Sequence, residues 1–250
     1  MKKILLALSL VLSVTAFSQD LATQVKEAEN LERQLKEDVA YEKYRALTVT
    51  DPSNIKFQVK AALLAMANGS RQKDKNQKKM YFEMAKSHAE KALAINANNA
   101  DANYAMSVVA GGMTEIVDEN KKKIEWVKQI KVSADKALSI DPNHARAHHV
   151  AGKWNFEVSD LGWIKRTAVK ALFGGMPEAS MDSAIAHMEK CRALDQYYML
   201  NYYDLAKAYR STNQPAKALE VLNKLVRLPI LTADDTRLKE EGKKMLQEMR

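Results

Sequence analysis

The chain has 250 residues, a formal net charge of +8 and a 46% hydrophobic fraction, with only 8 glycines and 5 prolines. That apolar fraction can bury a sizeable core, and the crowding of Ala, Leu, Lys, Glu and Met argues against β architecture and predicts an all-α protein. The basic balance favours anionic partners in general, without choosing among acidic proteins, phospholipids and nucleic acid.

Residues 1–18 combine Lys2 and Lys3, an apolar run from Ile4 to Phe17, and Ala16 and Ser18 placed before a cleavage at Gln19. This is the layout of a secretory signal. The run is shorter than the roughly 20 residues that span a bilayer, so cleavage is preferred to retention as an anchor. The leader is bacterial in style and offers no cysteine for lipid attachment, so export to a periplasm is expected, with residues 19–250 as a single domain of net charge +6 once Lys2 and Lys3 are removed. The lone Cys191 cannot form an internal disulfide and falls at an alanine-like helix position, where a small buried residue is expected.

A repeat runs through the chain. Asp51-Pro52-Ser53-Asn54, Asn96-Ala97-Asn98-Asn99 and Asp141-Pro142-Asn143-His144 recur at intervals of 45 residues, and Asp195-Gln196 follows 54 residues later. The preceding helices match at the same offset, Ala89, Lys91, Ala92, Leu93 and Ile95 against Ala134, Lys136, Ala137, Leu138 and Ile140. A tetratricopeptide unit has a period of about 34 residues and two antiparallel helices, so each 45-residue unit carries about three extra helical turns. The last unit follows the short pattern at Tyr202, Leu205, Ala206, Tyr209, Ala218 and Pro229. This register predicts helices at 20–49, 55–68, 77–95, 100–117, 120–139, 144–158, 180–194, 197–211, 215–228 and 233–248. Leu31, Leu35, Val39 and Tyr44 on the first should cover one open end of the stack, and the last helix should cap the other, with Thr232 and Asp235 as a capping box. The expected fold is a tetratricopeptide-like α-solenoid with lengthened repeats of about 45 to 54 residues, whose concave face is the usual binding surface.

His144 and His148 stand at i and i+4, with His149 beside them, but there is no His-Glu-x-x-His arrangement and no second ligand cluster. No nucleophile elbow, phosphate loop or dinucleotide fingerprint occurs either. No metal, no cofactor and no catalysis are expected. The basic residues say more. Arg71, Lys73, Lys75, Lys78 and Lys79 fill the insertion of the first full repeat, and Lys121, Lys122 and Lys123 occupy the equivalent place one 45-residue period later. They should form a row along one edge, extended by Lys165, Arg166 and Lys170, suited to an anionic surface or headgroup or simply to solvation. The insertion at 161–176 alternates such charges with Trp163 and Phe173. Together with Trp154, these rings either contact an occupant of the groove or pack on the next helix pair. Tyr202 and Tyr209 are accounted for by repeat packing, leaving Tyr198 and Tyr203 as candidates for partner contact.

Gly152-x-Trp154, Trp163-x-x-Arg166, and Ala171-Leu172-Phe173-Gly174 followed by Pro177 and a helix resemble the regulator of microtubule dynamics family over roughly residues 80–245. The resemblance implies a tetratricopeptide-type fold and, from members that tether membranes and handle phospholipid, a lipid-binding capacity. None of the positions carried over is catalytic. An export signal stands where animal relatives have an anchor or a divergent start, so microtubules are not expected as a partner, and neither is nucleic acid. Two functions follow: a periplasmic scaffold holding a peptide or protein in its concave face, or, as the alternative, a module taking acyl chains in the groove and an anionic headgroup on the basic edge.

Overall fold

A computed structural model describes residues 20–161 and 175–249, and every regular element among them is an α-helix. In chain order these are α1 (residues 20–33), α2 (Glu37–Thr50), α3 (Ile55–Ser70), α4 (Lys75–Ile95), α5 (Ala100–Ile116), α6 (Asn120–Ile140), α7 (Ala145–Ser159), α8 (Met181–Leu194), α9 (Met199–Ser211), α10 (Pro215–Leu225) and α11 (Asp235–Glu248). They form five antiparallel hairpins, α1/α2 to α9/α10, with α11 closing the row. The leader, and Trp163, Lys165, Arg166, Lys170 and Phe173 of the insertion, lie outside the described residues. The extra repeat length sits mainly in the trailing helices, with 21 residues in α4 and in α6 against 16 in α3 and 17 in α5.

The repeated turn has a physical identity. At Asp51, Asn96, Asp141 and Asp195 the backbone N–H closes the preceding helix, bonding Leu47, Ala92, Ala137 and Cys191 carbonyls, and the carbonyl accepts the N–H three residues on. The side chains of Asn96, Asp141 and Asp195 accept the N–H two residues on, making an Asx-turn, and that of Asp51 accepts the Ser53 hydroxyl. A further bond holds the next helix against each turn. Gln58, Asn103, His148 and Tyr202, each seven residues after the turn's first residue, donate to the carbonyls of Pro52, Ala97, Pro142 and Gln196 at 3.3, 2.9, 3.0 and 3.0 Å. Four different side chains therefore do one job. Asn99, His144 and Ser180 also accept from the N3 backbone N–H of α5, α7 and α8, satisfying donors that a helix start leaves open.

The expected single helix at 20–49 is two. Leu35 adopts φ 61°, and the Lys36 N–H bonds the Leu31 carbonyl, a left-handed ending that reverses the chain into α2. Leu31 and Tyr44 still reach the apolar cluster, but Val39 is 44% exposed. The capping box at Thr232 is one-sided: the Asp235 carboxylate accepts the N–H groups of Leu231 and Thr232 at 2.8 Å, while no side chain caps the helix in return.

Helices approach closely through alanine, with Ala61, Ala85, Ala105, Ala134, Ala147 and Ala184 fully buried. Gly152 is the tightest point between α7 and α8, where an added Cβ would lie 2.7 Å from Met188 Cγ and 3.0 Å from the Ala184 carbonyl. Trp154, on the same helix, is buried, and its indole N–H donates to the Val127 carbonyl of α6 at 2.8 Å. Two larger apolar clusters, around Tyr44 and Phe82 and around Tyr202 and Leu222, flank a small one at Tyr104.

The two ends of the described row touch. Arg71, just beyond α3, donates to Glu37 of α2 at 2.8 Å and to Asp234, ahead of α11, at 3.0 Å. Glu37 also accepts the Ala233 N–H at 2.9 Å. Glu37 is buried while Arg71 and Asp234 stay partly exposed, so the clasp is an ionic contact with one desolvated member.

Gly152→Ala is expected to cost about 1 to 3 kcal/mol in urea unfolding, because the close helix approach must open. Arg71→Ala should lower stability by about 1 to 3 kcal/mol and enlarge the radius of gyration measured by small-angle scattering. An unchanged scattering profile would show that the clasp does not hold the ends together.

Candidate functional site

The leading helices α3, α5, α7, α9 and α11 lie side by side in sequence order, and α1 joins the row through ion pairs of Glu29 with Lys56 and Glu32 with Lys60 at 3.2 and 2.7 Å. Among the described residues the trailing helices cover only one side of this row, and its other side is the open face. Leu63, Val108 and Val150 lie half-buried around Tyr104, and a Cβ on Gly111 would meet nothing within 4 Å. A recess of about 350 Å³ opens between α3, α5 and α7, with Ile55, Val59, Leu63 and Tyr104 as its apolar wall and Lys60, Asp101, His144 and Arg146 at its polar rim.

Arg146 is set by aromatic rings. Its guanidinium lies 4.6 Å from the Tyr198 ring centroid, hydrogen-bonds the Tyr104 hydroxyl and forms a long ion pair with Asp195 at 3.7 Å. Tyr198 in turn stands edge-on to His149 at 5.1 Å. Below, the His149 Nε2–H donates to Asp204 at 3.0 Å, both side chains being buried, and the Lys153 ammonium reaches the same carboxylate oxygen at 3.3 Å. Burial alone would raise the Asp204 carboxyl, but the His149 hydrogen bond and the charges of Lys153 and Lys207 outweigh it and hold it at about 2. For His149, burial dominates and lowers the pKa, so the neutral imidazole donates to an ionised carboxylate. Lys207 lies over the rings of Phe156 and Tyr203, at 5.7 and 5.8 Å.

Of the residues expected at the groove, Tyr198 and Tyr203 lie on this face, half-buried. Trp154 does not, because its ring fills the space between α6 and α7. The basic row is thinner than its sequence suggests. Arg71 is committed to the clasp. Lys78 pairs with Glu115 at 3.0 Å and lies over Phe82, and Lys122 pairs with Glu119 at 3.1 Å. Lys73, Lys75, Lys79, Lys121 and Lys123 remain exposed at the hairpin ends. Sequence reasoning passed over Arg146, Lys153, Phe156 and Lys207. Arg146 and Lys153 are seven residues apart and hence on one helix face, and Lys153 and Lys207 are equivalent across the 54-residue interval, so a charge-by-register reading could have found them.

The histidines are structural. His148 donates from Nε2 to Pro142, which leaves its Nδ1 to accept from His187 Nδ1 at 2.9 Å. Among the described residues no group of three or more His, Cys, Asp or Glu is placed to hold a metal ion. Cys191 is buried, and burial pushes its thiol up to about 12, far from a reactive thiolate.

A row of Asx-turn-linked helical hairpins with a covered back and an open, aromatic-lined front defines a tetratricopeptide-type repeat protein. The TTC0263 protein of Thermus thermophilus, itself a tetratricopeptide protein, shares this fold with a TM-score of 0.65 at 15% identity, over 91% of this chain and 99% of that one. The type IV pilus biogenesis factor PilW aligns at 0.55 and 16% identity, over 92% and 93%. The chain belongs to the regulator of microtubule dynamics protein 1-3 family, whose model matches residues 21–250. It is 29% identical over 170 residues to regulator of microtubule dynamics protein 2 of Bos taurus and 28% identical over 134 residues to protein 1 of Caenorhabditis elegans. These matches span 68% and 53% of this chain but only 41% and 59% of the relatives.

His88, His149 and His187 all have pKa values lowered by burial. Between their folded values and the unfolded value of about 6.5 the unfolded chain binds more protons, so stability is present above that value and lost on acidification. The urea midpoint is expected to fall from pH 7 to pH 5, and His149→Gln should flatten part of that slope. A midpoint that rises on acidification would contradict the neutral, buried assignment.

Proposed function

We propose that this protein is a non-enzymatic interaction scaffold that holds a segment of a partner protein against the open face of α3, α5, α7 and α9. The observation that carries this reading is the face itself: the half-buried Leu63, Val108, Val150, Tyr198 and Tyr203 and the open space over Gly111 lie on the side that the trailing helices do not cover. The leader-like residues 1–18 support an exported, periplasmic scaffold with residues 19–250 as one domain. A second reading attaches to the edge, where exposed Lys73, Lys75, Lys79, Lys121 and Lys123 favour an anionic membrane surface.

Site-specific photocrosslinking in living bacteria separates these readings. A benzoylphenylalanine at Tyr203 should yield adducts with one protein, recovered from the periplasm on a chain starting at Gln19, whereas the same probe at Glu83, on the covered side, should yield none. Adducts to lipid from Lys79, with none from Tyr203, would replace the scaffold by the membrane-edge reading. Recovery only from the cytoplasm would refute export.

A further inference from the structure

The open face combines an apolar recess with a cation, Arg146, whose five N–H donors outnumber its contacts with the Tyr104 hydroxyl and, at 3.7 Å, the Asp195 carboxylate. Arg146 stands at the rim of the recess, pre-oriented by the Tyr198 ring, and its nearest carboxylate is 3.7 Å away. A guanidinium held in this way loses little side-chain freedom on binding and presents a planar fork matched to a carboxylate. Of the other charges at the recess, Lys56 and Lys60 are paired with Glu29 and Glu32, while Asp101 accepts a hydrogen bond from the neutral His144 at 3.1 Å and keeps its negative charge at the outer rim. A second cationic station lies two helical turns along α7. There Lys153, 45% exposed, shares the buried Asp204 with His149, and its repeat equivalent Lys207 rests on Phe156 and Tyr203 without an ion pair among the described residues. Exposed Glu157, one turn beyond Lys153, bounds this stretch, and Glu241 of α11 is paired with Arg237 at 2.8 Å.

Resting on the scaffold reading, we infer that the occupant is an extended peptide carrying carboxylates beside a large apolar side chain. One carboxylate sits on Arg146, the apolar side chain enters the recess lined by Val59, Leu63 and Tyr104, and a second carboxylate meets Lys153 and Lys207. Arg146 and Lys153 are seven residues apart on α7, a rise of about 10 Å, which an extended chain covers in about three residues. The occupant's acidic residues are therefore spaced by three, with the apolar residue next to the first. The recess of about 350 Å³ suits one or two side chains, and cations distributed between two stations fit a chain with spaced charges better than a single lipid headgroup.

The test is fluorescence anisotropy of the mature chain with a labelled peptide of about twelve residues, bearing Asp or Glu at every third position and Leu or Phe between. Its Asn/Gln counterpart and vesicles of phosphatidylglycerol serve as comparisons. The acidic peptide should bind at least about tenfold more tightly than the amide counterpart. Binding should weaken by about tenfold in Arg146→Gln and, independently, in Lys153→Gln combined with Lys207→Gln, with Arg146→Lys intermediate and Lys79→Gln unchanged. Circular dichroism of each variant separates lost binding from lost folding, and the Lys153/Lys207 variant, altered at partly exposed positions, keeps the test open if Arg146→Gln unfolds. Equal binding of the acidic and amide peptides, no binding of the acidic peptide, or a vesicle response with the same residue dependence would each overturn the inference. Protein adducts at Tyr203 alongside any of those results would leave the scaffold standing and remove only its acidic partner; absence of adducts would remove both.

Discussion

Everything in this structure depends on the brace that ties each leading helix to the turn before it. A hairpin row can bury its apolar stripes only if successive hairpins meet at a fixed angle, and an Asx-turn alone fixes the chain's direction but not the roll of the next helix. The bond from Gln58, Asn103, His148 and Tyr202 back to the second turn residue supplies that missing constraint. Each such bond contributes only about 0.5 to 1.5 kcal/mol. Its larger effect is geometric, since it sets which residues of the next helix face the core. At the third copy the brace also selects the His148 tautomer, and with it the direction of the His148–His187 hydrogen bond.

Once the roll is set, the rest follows by packing. Fully buried alanines let the helices approach, Gly152 allows the closest contact between α7 and α8, and Trp154 fills the wider gap beside it. Two residues of the family-like signature are thus explained by volume. The same roll directs Tyr104, His149 and Tyr203, equivalent positions of successive hairpins, to the layer beneath and within the open face, the first two buried, with Arg146, Lys153 and Lys207 interleaved above. The clasp of Arg71 with Glu37 and Asp234 then fixes how far the row can curve, because it joins the α3–α4 turn to the approach of α11. A cation that reads as part of a solvated basic row is in fact the residue holding the two ends together.

The candidate face was only partly legible beforehand. Tyr198 and Tyr203 could be singled out because repeat packing had already accounted for Tyr202 and Tyr209. Arg146 could not, since an arginine two residues past a turn carries no signal until the Tyr198 ring is known to stack on it. Lys78 and Lys123 share a register position and read alike, yet Lys78 is spent on Glu115 while Lys123 stays exposed. Charge assignments fail in this way because a side chain's partners are set by the neighbouring hairpin.

The amino-acid sequence alone determined the helical class, the 45-residue period, the positions of the turns and, within a few residues, the bounds of the nine helices from Ile55 onward, because Asx-turn residues, caps and helix formers act over distances of a few residues. It also carried the family likeness. Only the tertiary structure decided that Leu35 reverses the first helix, that four unlike side chains make one recurring bond, that the ends meet at Arg71, and which cations remain available on the open face. Those outcomes depend on contacts between residues far apart in the chain, such as the 196 positions separating Glu37 from Ala233, and no local pattern records the company a side chain will keep.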